Sequence, residues 1–238
     1  MSAYIAATEP AETRPNSAKH LTSWASWRYP KTRNTGKNKR MFAVGHLALG
    51  YLTGKATSKL LNVNANVPLL FVASIIPDID LLICRRAHRG PTHSLIVIFL
   101  LFLPLFMVYR KRATPYFIAV TQHVILGDYL TGGGGLQLLW PATSDWYGIG
   151  FEGASLTNVL VEWAAFLVSF TIMYKAGDTW TLLQRDPSNL LLLIPVLTVL
   201  LPTLLSFPLS VPLELVIPHV GYLAIFTLSI LTDLKAIL

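Results

Sequence analysis

Of 238 residues, 53% are hydrophobic and only 13% are charged, against roughly 25% charged in a soluble domain. The net charge of +7 is carried almost wholly by residues 1–40, with eight Lys/Arg against Glu9 and Glu12, so the rest of the chain gives no reason to expect nucleic-acid binding. The lone Cys84 excludes an intramolecular disulfide framework and a Cys-rich zinc site.

Residues 1–40 are polar, rich in Ser, Thr, Pro and Lys, and without helical periodicity, a composition that predicts a disordered basic tail. They lack the apolar stretch of a secretory signal, and Met41 is an alternative start just ahead of the first motif. Apolar segments of spanning or near-spanning length follow at 42–60, 67–84, 94–109, 115–131, 155–174, 189–207 and 215–232. They predict an all-α polytopic membrane bundle of about 6–7 spans. Residues 41–141 read as a metal-site membrane core and 142–238 as C-terminal transmembrane helices. In the first segment Gly45, Ala48, Gly50, Gly54 and Ala56 suit close helix packing. Pro104, Pro195 and Pro202 predict kinks inside later segments. Gly132 to Gly135 reads as a hinge. The stretch from Leu136 to Gly153, with Trp140, Trp146 and Tyr147, reads as an interfacial or re-entrant element. The basic tail beside the first segment places the N-terminus in the cytoplasm, whereas Arg110, Lys111 and Arg112 argue against that orientation.

Ionisable residues gather where these segments begin or end. His46 opens the first, Asp78 and Asp80 close the second, and His88 and His93 occupy the following loop. His123 and Asp128 lie in the second half of the fourth. With alternating spans all of them fall on one face of the membrane. Ionisable groups at membrane depth are expensive and mark functional sites, and mixed imidazole and carboxylate suits zinc, manganese or iron. Each element has its difficulty. In Pro77-Asp78-Ile79-Asp80 a regular helix would turn the two acids about 200° apart, but Pro77 disfavours helix at Ile76 and makes a break plausible. In His88-Arg89-Gly90-Pro91-Thr92-His93-Ser94 a turn brings two imidazoles together, Arg89 is placed to meet an anion, and Thr92 or Ser94 can cap the next helix. His123 and Asp128 are five apart, about 140° out of alignment on an α-helix, so Gly127 has to help. Glu162, alone inside an apolar segment, is a weaker candidate for a proton or partner role.

Gly45-His46, Pro77-Asp78-Ile79-Asp80, His88-Arg89-Gly90-Pro91-Thr92-His93-Ser94, His123 with Asp128, and Leu138-Leu139-Trp140-Pro141 occur in an order that resembles the YdjM-like family. These are inner-membrane proteins described as metal-dependent hydrolases, and the resemblance covers roughly residues 41–141. It implies that Asp78, Asp80, His88, His93, His123 and Asp128 bind or support a divalent metal. A more distant similarity to zinc-dependent phospholipase C implies a phosphodiester substrate.

Residues and resemblance together predict a multi-pass protein of the inner membrane with a metal site at the cytoplasmic interface. His46, Asp78, His88, His93, His123 and Asp128 are the expected ligands, with Asp80 as base or support and Arg89 as anion contact. Zinc is the expected ion, with manganese or iron as alternatives. The expected substrate is a lipid or other phosphoester, and the expected partners are membrane lipids, with no nucleic acid. The rival readings are a proton- or metal-ion-coupled transporter, which would spread its acids through the bilayer depth, and a non-catalytic scaffold working through its basic tail.

Overall fold

Glycine decides how the first helices meet. In the computed structural model, α1 (Ala43–Leu60) packs against α2 (Val67–Ile75). A Cβ added at Gly50 would run into the Ser74 side chain of α2, and one at Gly54 would lie 2.5 Å from Leu70 Cδ2. Small residues thus bring the two backbones within a distance that larger side chains would forbid. The structure describes residues 41–83, 88–131, 135–149, 155–206 and 211–237, so the expected disordered tail and Gly132–Gly134 of the expected hinge lie outside the described residues.

α2 is started by Asn66, whose side chain accepts the Leu69 N–H at 2.9 Å, with Pro68 in its first turn. Pro77 has no N–H to give an α-helix, and the chain tightens into a 3₁₀ turn over Ile76–Ile79 before one helical turn at Asp80–Ile83. α3 (Leu95–Tyr109) is capped by Ser94, which accepts the Val97 N–H. α4 (Thr114–Gln122) runs on without interruption into a π-helix over His123–Tyr129. α5 (Leu156–Lys175) is capped by Ser155. α6 (Pro187–Leu204) changes pitch repeatedly, with a π-helix at Val196–Leu200 directly after Pro195. α7 (Val216–Ile237) closes the bundle. Among the described residues the β structure amounts to one bridge, Leu136 with Tyr147. The protein is all-helical.

The span count differs from the sequence reading. Among the described residues three helices are long and apolar enough to cross a membrane: Leu156–Lys175, Pro187–Leu204 and Leu213–Leu234. The expected 6–7 spans are corrected to these three because the first four apolar segments fold as shorter or more polar helices. α1 carries Lys55 and Lys59. The apolar helix from Val67 stops at Ile79, about 20 Å of rise against a hydrocarbon core of about 30 Å. The 15 residues of α3 reach only about 22 Å. α3 still faces outward with a lipid-like surface, Leu101 being 66% and Met107 81% exposed.

Aromatic packing holds α1, α2, α5 and α7 together. Phe71 stacks on Tyr51 at 5.6 Å between ring centroids and meets Phe226 at 4.8 Å. The two buried tyrosines satisfy their hydroxyls, Tyr222 with Ser169 at 2.7 Å and Tyr51 by donating to Asp178 at 2.7 Å. Asp178 also pairs with Lys55, so its buried carboxylate is compensated by both a hydroxyl and a cation.

Candidate metal centre

The 3₁₀ turn, the 88–94 turn and the π-helix all deliver side chains to one place. Asp78 comes from the first, His93 from the second, and His123 with Asp128 from the third. Each π-helical turn hydrogen-bonds i to i+5, so residues five apart return to the same face. The misalignment expected for His123 and Asp128 on an α-helix is thereby corrected.

His93 Nε2 lies 3.5 Å from Asp78 Oδ1 and 3.0 Å from Asp128 Oδ2. His123 Nε2 lies 3.4 Å from Asp78 Oδ1 and 3.5 Å from Asp128 Oδ2. A tetrahedral ion with ligand bonds of about 2.0–2.1 Å separates its donors by about 3.3–3.4 Å. These four distances are therefore close to the edges of a single coordination tetrahedron. Three of the donors, His93 Nε2, His123 Nε2 and Asp128 Oδ2, are buried and have no hydrogen-bond partner. The 3.0 Å approach of His93 to Asp128 lacks hydrogen-bond alignment. Buried polar atoms are rarely left in this state, and a cation at their common centre satisfies all of them at once.

Neighbouring groups fix which nitrogen faces the centre. His123 Nδ1 is 2.7 Å from the Ser74 carbonyl, which can only accept, so Nδ1 carries the proton and Nε2 presents its lone pair. Thr92 donates to Asp80 Oδ2 at 2.6 Å and accepts from His93 Nδ1 at 3.0 Å, which orients His93 in the same way. Burial lowers the pKa of His93, but the facing carboxylates of Asp128 and Asp78 outweigh it and hold the imidazole above its ordinary value. Arg89 donates to Asp128 Oδ1 at 2.7 Å, so its charge is engaged with a carboxylate of the centre.

Asp80 and His88, with His93, form an adjoining group of possible ligands. Asp80 Oδ1 is 2.9 Å from His88 Nδ1. His46 belongs to neither group. Its ring stacks on that of His123, 3.9 Å between centroids and 21° between planes. The sequence reading expected His46 as a ligand, but the α1 backbone seats it beside the His123 ring and outside the tetrad.

Arg89 adopts φ +67°, a left-handed conformation unfavourable for a side chain of its size. Two contacts hold it there: its guanidinium grips Asp128, and its carbonyl accepts the Gln137 N–H at 2.9 Å. Of the stretch read from its aromatics as interfacial, Leu136 to Gly153, the part beyond residue 149 lies outside the described residues, and the rest clamps the 88–94 turn elsewhere too. Leu95 N–H donates to the Leu138 carbonyl at 2.9 Å and Ser94 Oγ to the Trp140 carbonyl. Glu162 of α5 caps α1, accepting from Phe42 N–H at 2.9 Å, Gly45 N–H at 3.0 Å and Asn158 Nδ2 at 2.7 Å. Its isolation in an apolar segment marked it as a residue with a polar partner, and the partners are the start of α1 and Asn158. Backbone groups such as the Ser74 carbonyl leave no signal in sequence at all.

A cavity of about 180 Å³ borders the centre. Its lining is mixed, with His46, Asp78, His88, Arg89, Asp128 and Thr203 beside Met41, Phe42, Leu81 and Val199.

Fold and site together define an all-helical membrane protein with a buried His/Asp cluster able to hold a divalent ion. The chain belongs to the YdjM inner membrane protein family, whose model matches residues 41–211, a longer stretch than the motif resemblance to residue 141 indicated. No curated protein and no solved structure matches it.

Proposed function

We propose that this protein is a metal-dependent hydrolase of the inner membrane, multi-pass with a cytoplasmic N-terminus, acting at the bilayer interface on a phosphoester or lipid-linked substrate. The observation that carries the reading is the buried tetrad with three donor atoms that nothing in the described protein satisfies. Asp78, His93, His123 and Asp128 would hold the ion, and their imidazole and carboxylate donors suit zinc, with manganese or iron as alternatives. A divalent ion supplies Lewis acidity and activates water. The protein's own part is to fix ligand orientation through Ser74, Thr92 and Asp80, and to balance Asp128 with Arg89. A cavity lined both by the polar residues of the centre and by apolar side chains suits a substrate with an anionic head and an apolar remainder.

The test pairs metal analysis with turnover. Detergent-purified wild type should retain a transition metal and hydrolyse a chromogenic phosphodiester with added zinc or manganese, whereas His123→Ala should do neither. Wild type that holds no metal and turns over no phosphoester would sink the reading.

A further inference from the structure

The tetrad supplies four protein donors to one ion, which fills a tetrahedral shell as in closed structural sites, whereas sites that do chemistry keep a position open. Two strong donors lie beside it, hydrogen-bonded to each other and to no atom of the tetrad. Asp80 Oδ1 and His88 Nδ1 face each other at 2.9 Å, while Asp80 Oδ2 is separately engaged by Thr92. His93 cannot complete this second group as a ligand, because its Nδ1 is turned to Thr92 and its Nε2 to the tetrad. Asp78 can. Its Oδ1 lies 3.4 Å from His123 Nε2, 3.5 Å from His93 Nε2 and 3.9 Å from His88 Nδ1, between the two groups.

We propose that the centre takes two divalent ions with Asp78 as their shared carboxylate. One sits among Asp78, His93, His123 and Asp128. The other is held by Asp78, Asp80 and His88 on the cavity side. The inference rests on the metal-centre reading above and adds to it the number of ions and the place of the exposed one. The imidazoles of the tetrad are fully buried, but the side chain of His88 is 10% exposed and lines the cavity, as does Asp78. Three protein donors there leave a coordination position facing the space a substrate would enter. Carboxylate-linked ions about 3.5–4 Å apart are an arrangement suited to phosphoester hydrolysis.

The experiment uses the full chain in detergent, stripped of metal and then dialysed against zinc, with bound ions counted by elemental analysis. Wild type should hold two zinc ions per chain, and Asp80→Asn and His88→Ala one each. Manganese loading gives a check that needs no variant, because a carboxylate-bridged pair shows an exchange-coupled paramagnetic resonance spectrum. Wild type that binds one ion and shows only isolated-ion resonance overturns the two-ion centre while leaving a one-ion metal site standing. Two ions undiminished in both variants overturn the assignment to Asp80 and His88. No ion in wild type overturns the metal reading itself.

Discussion

Gly127→Ala is the substitution whose sign the structure fixes most sharply. On propensity alone, replacing a helical glycine by alanine stabilises by up to about 1 kcal/mol. Here the added Cβ would lie 2.6 Å from His46 Nδ1 and closer still to His46 Cε1. His46 is buried at 3% exposure and stacked on His123, so the ring has little room to retreat. Overpacking of this kind costs about 1–3 kcal/mol, and a Cβ this close to His46 Cε1 belongs at the upper end of that range, so after the propensity gain a net loss of about 2 kcal/mol remains. The assay is thermal unfolding in detergent, with His46→Ala and the double variant completing a cycle. At about 2–4 °C per kcal/mol for a chain of this size, the single variant should melt several degrees lower. His46→Ala removes the obstacle, so adding Gly127→Ala to it should cost nothing or stabilise slightly, a coupling of about 1–3 kcal/mol. A Gly127→Ala variant as stable as wild type, or an equal loss in both backgrounds, would refute the close packing of His46 against the π-helix.

Two further outcomes are expected. Glu162→Ala strands the Phe42 N–H and leaves the Gly45 N–H only its bond to the Phe42 carbonyl, and should destabilise by about 1–3 kcal/mol. Glu162→Gln keeps one acceptor and should lose clearly less, and equal losses in thermal unfolding would contradict the capping role. His93 has a folded pKa above its ordinary value, so its contribution to the metal-free fold is fully present below about pH 6.5 and is lost as pH rises through the folded value. A metal must displace that proton, so apparent zinc affinity measured by chelator competition should fall as the solution is acidified, by up to about tenfold per pH unit. Affinity that does not change with pH would show that His93 is not a ligand.

Hydrophobic excess and the scatter of charge fixed an all-helical membrane protein, because burying so few charges in so much apolar sequence leaves little else. Residue type and order also placed the cluster. Pro77 announced a break beside Asp78. The alternation of spans that put His46, Asp78, Asp80, His88, His93, His123 and Asp128 on one face does not hold, because the segments bearing them are not among the three helices long and apolar enough to cross a membrane. Pitch was beyond reach. Nothing in the stretch from His123 to Tyr129 distinguishes a π-helix from an α-helix by composition, yet i→i+5 bonding is what aligns His123 with Asp128. Span number was misread for a related reason: apolar length in sequence does not say where a helix stops, and α2 and the segment after it stop early. Sequence alone therefore determined the apolar surroundings and the helical class. The tertiary structure decided which atoms meet, through contacts that a residue string does not carry: a carbonyl at Ser74 orienting His123, a hydroxyl at Thr92 orienting His93, and a glycine at 127 leaving room for His46 to stack on His123 outside the tetrad.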